Sequence, residues 1–236
     1  RAVAPPPADT ACLYYTSGST GEPKAVMMDH RFFVVNAKWY ADEFGVTKKS
    51  VVAAKARFIW ATSLWEILPP LISGATLLLL PVVKTEEVAS QLTAGGATHL
   101  TGVPSELELV VEPSLQLKHV ICMGERLQAP VAKRLAERLP SSCRMWNAYA
   151  ATESPVTLWP VSTRATKMLA GRPLAGAFVA VLADDGSVAP SDTQGEIVMG
   201  GVIPRCGYWR RPELTAEKFT ENSHLGKVYR TGDVGR

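Results

Sequence analysis

"TSGSTGEPK", Thr16 to Lys24, carries a hydroxyl or a glycine at six of its nine positions and ends on one lysine. It follows "CLYYT", a short apolar run that reads as a strand. A glycine-rich turn after a strand can cradle phosphate: backbone N–H groups turn inward, glycines allow close approach, and a lysine adds a point charge. The spacing GxxxxGK[ST] does not fit, because Gly21 is followed by Glu22 and Lys24 by Ala25; the dinucleotide spacing GxGxxG fails as well. On spacing alone, a surface loop reads equally well.

Outward from this turn, strand and helix signals alternate. Asp29 can cap a helix running to about Ala41, with Phe33, Ala37 and Tyr40 on one face. "VVAA" reads as a strand and Thr62 to Leu71 as a helix. "ATLLLLP" is a continuous apolar run, expected of a strand buried on both faces. Thr85 can cap a helix to Thr93. "THLTGV" and "HVICMG" are strands, Pro104 and Pro130 suit helix starts, and "CRMWNAYA" is a strand end. Such alternation predicts a mainly parallel sheet flanked by helices, with ligands at the carboxyl ends of its strands. After about Ser162 the texture changes: "FVAVLADDGSVAP" and "GEIVMGG" carry short strands with Asp-Gly and Gly turns. The division read from sequence is a linker over residues 1–10, an α/β core over 11–162 and a β-rich subdomain over 163–236.

The totals bound the function. The 236 residues suffice for a packed core, and 47% hydrophobic content is ordinary for a globular chain. The 25 basic and 22 acidic residues are interspersed with no basic block, which argues against nucleic acid. Cys12, Cys122, Cys143 and Cys206 lie far apart with no CxxC, which points to a reducing, cytoplasmic setting. The four histidines form no zinc pattern. The most apolar stretch, "LWEILPPLISGATLLLLPVV", is interrupted by Glu66, Pro69, Pro70 and Gly74 and reads as helix, turn and strand, not as a membrane span. The chain opens on Arg1 and reads as a fragment or a processed piece.

"YYTSGSTGEPKAVMMDH" strongly resembles the phosphate-loop signature of the adenylate-forming enzymes: acyl-CoA synthetases, luciferases and the adenylation domains of nonribosomal peptide synthetases. Four further stretches resemble that family's motifs, in its order. "FIWATSLWEILPPLISGATLLLLP" looks like the segment around the carboxylic-substrate pocket, and "NAYAATE" like the adenine and magnesium motif. "GEIVMGGVIPRCGYWRRPELTAEKF" looks like the β-rich segment, and "YRTGDVGR" like the ribose motif. The wording "SLWE", "GYWRRPELTAEKF" and "YRTGD" leans towards the peptide-synthetase branch. The resemblance spans about Ala11 to Arg236 and implies a piece of that family's large N-terminal domain, its β-rich part a distorted barrel.

What the resemblance implies is ATP-dependent activation of a carboxylic acid to acyl-AMP with release of pyrophosphate. The acyl group then passes to the phosphopantetheine thiol of a carrier-protein domain. Two anions must meet, so the site must neutralise charge and hold an in-line geometry. Thr16, Ser17, Gly18, Ser19, Thr20 and Gly21 would wrap the β- and γ-phosphates, in a loop expected to move when empty, and Lys24 would add charge. Thr152 would donate to the α-phosphate. Glu153 matches the family's magnesium ligand, a hard carboxylate for a hard cation. Asn147, Tyr149 and the turn Gly124-Glu125 would surround adenine, and Asp233 would accept both ribose hydroxyls.

Where amino-acid-activating members carry an aspartate for the substrate's ammonium, this sequence has Ala61. A methyl group cannot compensate a buried ammonium, which would cost several kcal/mol unpaired. Hydroxy, keto, aryl or fatty acids therefore fit better, unless another carboxylate anchors an amino group. The remaining wall would be Thr62, Trp65, Thr101, Ile121, Met123, Ala148, Val156 and Thr157, which carry no charge and suit a neutral, medium-sized acyl group. Two further departures are Ala150-Ala151, where the family has Gly-Pro, and Ala25, where it has Gly after the loop lysine. The resemblance also implies that the family's hinge, its second ribose-contacting arginine and its small C-terminal domain with the catalytic lysine lie beyond this stretch. A stand-alone acyl-CoA ligase and a non-catalytic adenylation-like domain remain as alternatives.

Overall fold

The computed structural model describes residues 8–16, 22–80, 85–162, 167–205 and 207–236. The chain divides into two compact units, one made of residues 1–36, 150–156 and 173–236, the other of 37–149 and 157–172.

In the first unit, β1 (Thr10–Thr16) and β2 (Lys24–Asp29) form an antiparallel pair in which Thr16 lies opposite Lys24. The far side of β2 is continued by residues 207–209: Met27 N–H donates to the Gly207 carbonyl, Trp209 N–H donates to the Ala25 carbonyl, and Val26 bridges Tyr208. Flanked on both sides, β2 is buried from Ala25 to Asp29. Helix α1 (His30–Glu43) starts where the sequence predicts, because Asp29 Oδ1 accepts the Phe32 N–H at 2.8 Å. The other oxygen, Oδ2, accepts the Arg205 N–H at 2.8 Å, so one buried carboxylate ties the helix start to a distant loop. The rest of this unit is a four-stranded antiparallel sheet in the order β10-β11-β13-β12. Its strands are β10 (Phe178–Leu182), β11 (Gly195–Gly200), β12 (Phe219–Asn222) and β13 (Gly226–Gly235). Leu182, Val198 and Val228 form its core, with Phe178, Ala180 and Leu225 packed against them. A short helix, α6 (Pro212–Lys218), starts on a proline and precedes β12.

The second unit is built on a seven-stranded sheet in the order β4-β3-β5-β6-β7-β8-β9. Strands β3 (Val51–Ala54), β4 (Thr76–Leu79), β5 (His99–Gly102), β6 (His119–Met123) and β7 (Arg144–Tyr149) run parallel. Strand β8 (Thr157–Pro160) pairs antiparallel with β7, and the two-residue β9 (Arg172–Pro173) follows it in the sheet order. Helices α2 (Thr62–Ser73), α3 (Thr85–Ala94), α4 (Pro104–Val110) and α5 (Ala129–Arg138) supply the connections. Helix α2 runs through Pro69 and Pro70 and stops at Gly74, whose φ of 65° lets its N–H return to the helix carbonyls. Leu100, Val120, Cys122 and Met145 point to one face of the sheet and pack with Leu92, Leu107, Leu115, Leu127 and Leu135.

The apolar run "ATLLLLP" departs from expectation. It forms β4, but as the sheet's edge strand, with Thr76 exposed and Leu79 63% exposed. An unbroken apolar run states only that a strand tolerates burial on both faces; its place in the sheet order decides whether it obtains it. Among the described residues, no helix is long and apolar enough to cross a membrane.

Candidate functional site

In the first unit the loop lysine reaches a specific destination. Side chains at Lys24 and Val26 share one face of β2, and Val26 bridges Tyr208, so Tyr208 falls on that face too. Glu153 arrives on a turn closed by Ser154 N–H to the Ala151 carbonyl (3.1 Å) and Ala151 N–H to Ser154 Oγ (2.8 Å). The three side chains then close a ring of contacts. Lys24 Nζ lies 2.8 Å from Glu153 Oε1, the Tyr208 hydroxyl donates to the same Oε1 at 2.7 Å, and Lys24 Nζ donates to the Tyr208 oxygen at 2.9 Å. The lysine also sits 4.6 Å from the centroid of the tyrosine ring. The Lys24 side chain is 17% exposed, against 4% for Glu153, so the cation is at the mouth of the cluster and the anion at its floor. Burial, then the Glu153 charge, push the Tyr208 phenol far above its ordinary pKa, so it stays a donor.

Other residues expected at the phosphates behave variously. Ser17 to Gly21, together with the expected loop movement, lie outside the described residues. Thr16 closes β1, and its buried hydroxyl has no hydrogen-bond partner among the described residues. Thr152 is half-buried beside Glu153 in the closed turn. Neither Ala150 nor Ala151 has a positive φ, so alanine replaces the family's Gly-Pro here without backbone strain. Ala25 is buried in β2. Asp233 lies on β13, where its N–H donates to Thr231 Oγ1 at 3.0 Å.

In the second unit the expected adenine and acyl residues divide between the two faces of the sheet. Register pairs Thr101 with Ile121 and Met123 with Ala148, which places these four on the face opposite the leucine-rich core. All four are buried. Thr101 Oγ1 hydrogen-bonds the buried Tyr40 hydroxyl at 3.2 Å, and Tyr40 and Trp39 in turn flank Trp65 of α2, both at 6.2 Å between ring centroids. Asn147 and Tyr149, towards the carboxyl end of β7, and Thr157, which opens the antiparallel partner β8, project from the other face. Asn147 Nδ2 donates to the Leu169 carbonyl at 2.8 Å, and Thr157 Oγ1 to the Ala170 carbonyl at 2.7 Å. Gly124 follows β6 with a φ of 96°, and a side chain there would meet Val103 Cγ1 at 3.2 Å. Glu125 turns to Ser105, whose hydroxyl donates to Oε2 at 2.7 Å. Val156 belongs to the first unit and is buried.

Ala61 caps the start of α2 with helical dihedrals, and Thr62 opens the helix. The helix carries one carboxylate, Glu66, which is buried. Its Oε2 accepts the N–H groups of Lys55 (2.9 Å) and Ala56 (2.8 Å), so it serves the backbone of its own unit. Burial raises its pKa to about 7, against the pull of these donors and of Lys55.

Sequence reasoning did not single out Tyr208. The tyrosine lies inside a quoted motif, but Gly-Tyr-Trp has no local signature; only the bridge to Val26 brings it to Lys24. The second contact of Asp29, to Arg205, was equally illegible.

A parallel α/β sheet joined in sequence to an antiparallel subdomain is the architecture of the large domain of adenylate-forming enzymes. The chain belongs to the AMP-binding enzyme family, whose model matches residues 1–209. It is 32% identical over 241 residues to tyrocidine synthase 1 of Brevibacillus parabrevis, covering 98% of this chain and 22% of that protein. It is 33% identical over 245 residues to L-proline--[L-prolyl-carrier protein] ligase of Streptomyces coelicolor, covering 97% of this chain and 45% of that protein. Among solved structures, the nonribosomal peptide synthetase FmoA3 in its AMPPNP-bound form superposes with a TM-score of 0.87 at 26% identity, over 98% of this chain and 26% of that one. The chain thus spans less than half the length of these proteins, and it corresponds to the core of a nonribosomal peptide synthetase adenylation domain.

Proposed function

We propose that this chain is the ATP-handling core of a ligase that activates a carboxylic acid as acyl-AMP, releases pyrophosphate and hands the acyl group to a carrier-protein phosphopantetheine. The observation that carries the reading is the meeting of Lys24 and Glu153 at 2.8 Å, since the two side chains assigned to phosphate and to metal come from separate stretches of sequence. Lys24, Thr152 and Glu153 act on the phosphates, with Thr16, whose buried hydroxyl lacks a partner among the described residues, facing the same ligand chemistry. Asp233 takes the ribose, and Asn147, Tyr149, Gly124 and Glu125 take the adenine. Magnesium fits the residues present: one carboxylate suffices for a cation whose other ligands are water and phosphate, and among the described residues no group of three acidic, His or Cys side chains offers an all-protein cage. When bound, the cation would neutralise phosphate charge. The name of the prolyl-carrier-protein ligase supports a carrier thiol as acceptor over coenzyme A. Free thiols at Cys12, Cys122 and Cys143 support a reducing, cytoplasmic setting.

The acid we assign lacks an α-ammonium. Ala61 offers no counter-charge, and it stands at a helix N-terminus, whose partial positive charge repels an ammonium further. Glu66, the one carboxylate on α2, is committed to two backbone N–H groups. The hydroxyl of Thr101, on the same face of the sheet as Ile121, Met123 and Ala148, is likewise engaged within the protein, which favours an apolar acyl group, whereas Thr157 lies on the opposite face and does not join that wall. The test is ATP–pyrophosphate exchange by the intact protein against matched α-amino, α-hydroxy, α-keto and aryl acids. Exchange led by a hydroxy, keto or aryl acid supports both assignments. Exchange led by an α-amino acid keeps the ligase and overturns the acid, and no exchange or ATP binding favours a non-catalytic domain.

A further inference from the structure

Lys24 and Glu153 spend their charges on each other at 2.8 Å, so a phosphate and a metal would each compete for a group that already has a partner. An ammonium drawn to phosphate leaves behind a carboxylate that is 4% exposed, and a buried unpaired anion is costly. One group in the cluster can stay when the lysine departs. Tyr208 is 2% exposed, its ring packs on Phe219 at 5.6 Å, and its backbone N–H is fixed on Thr215 Oγ1 at 2.9 Å. Its hydroxyl already donates to Glu153 Oε1, the oxygen that the lysine would vacate.

We propose that Tyr208 is a positioning residue that holds Glu153 while Lys24 exchanges the carboxylate for phosphate. Resting on the adenylation reading above, the exchange conserves charge pairing. The lysine trades one anion for another, and the glutamate trades the ammonium for a cation brought with the nucleotide. The phenol keeps Oε1 occupied throughout, which fixes the carboxylate's orientation and would leave Oε2 to hold a cation. Lys24, the most exposed of the three, is the member that moves; Tyr208 and Glu153 form the fixed floor.

Two measurements on the intact protein test this. The first needs no ligand: melting temperatures of the native protein, Lys24→Met, Tyr208→Phe and the double variant. The phenol's role predicts that Lys24→Met lowers the melting temperature more in the Tyr208→Phe background than in the native one. The second titrates Mg2+ at fixed AMPPNP. Tyr208→Phe, which keeps the ring, should raise the half-saturating Mg2+ by about tenfold, the worth of a hydrogen bond to a charged group, with acid binding unaltered. Additive melting shifts, or an unchanged Mg2+ midpoint, overturn the proposal. If the native protein binds no AMPPNP at any Mg2+ concentration, the adenylation reading fails, and the melting cycle alone still decides whether the phenol holds Glu153.

Discussion

Lys24 Nζ and Glu153 Oε1 lie 2.8 Å apart in a pair whose anion is almost wholly enclosed. Breaking it should be asymmetric. Lys24→Met strands a carboxylate with one phenol for company and should cost about 1–3 kcal/mol, less than a fully buried broken pair because a donor remains. Glu153→Gln leaves an ammonium near solvent and should cost less. Urea midpoints of the two variants check the order; equal or reversed losses would contradict the assigned depths.

Asp29 uses both oxygens, one on the Phe32 N–H and one on the Arg205 N–H. Asp29→Ala removes a helix cap and a charge-assisted bond together, for an expected loss of about 2–4 kcal/mol. Asp29→Asn should recover the cap but not both contacts. A loss from Asp29→Ala within that of an ordinary surface cap, about 1 kcal/mol, would mean the Arg205 contact contributes nothing.

His99 and His119 stack at 5.0 Å with their planes 10° apart, and Trp146 Nε1 donates to His119 Nδ1 at 3.2 Å. Burial, then His99, Arg144 and Lys118, lower the His119 pKa from 6.5 to about 4. The unfolded chain therefore binds this proton more readily than the folded one between those two values, so stability should fall as pH drops from 6.5 towards 4. His119→Phe keeps an aromatic ring without the titration. Denaturant midpoints from pH 7 to pH 4 should decline less steeply in that variant; parallel declines would clear His119 of the effect.

Gly124 needs its φ of 96°, and any side chain there crowds Val103. Gly124→Ala should destabilise by about 1–3 kcal/mol. On the adenine assignment it should also weaken nucleotide binding, by an amount that calorimetry can separate from the stability loss. Unaltered stability would show that the turn relaxes.

If Ala61 excludes an α-ammonium, restoring a carboxylate should admit one. Ala61→Asp should move the ratio of kcat/KM for an α-amino acid over its α-hydroxy counterpart by about tenfold or more, the worth of compensating one poorly solvated charge. Exchange assays on matched pairs of acids measure it, and an unmoved ratio would place the acyl group elsewhere.

Much of the architecture was open to reading. Asp29 before an apolar-periodic run announced α1, prolines announced α4 and α5, and alternation of the two periods announced a parallel sheet. These signals are local, confined to a turn of helix or a few residues of strand. The edge position of β4 was not open to reading, because Leu77 and Leu78 look the same in a central strand and at a border. Strand β2 was missed for a related reason: Lys24 to Asp29 lies inside the stretch read as a phosphate loop, and one of its two neighbours, residues 207–209, comes from far along the chain.

By itself, the sequence determined which residues carry charge and hydroxyl, where each backbone period begins and ends, and the family to which the motifs point. Tertiary structure alone decided that Glu153 Oε1 receives Lys24 and Tyr208 at once, and that Thr101 and Asn147 face opposite sides of one sheet. Propensity and periodicity are encoded within a few neighbouring residues, whereas strand order and register come from the mutual burial of segments far apart along the chain.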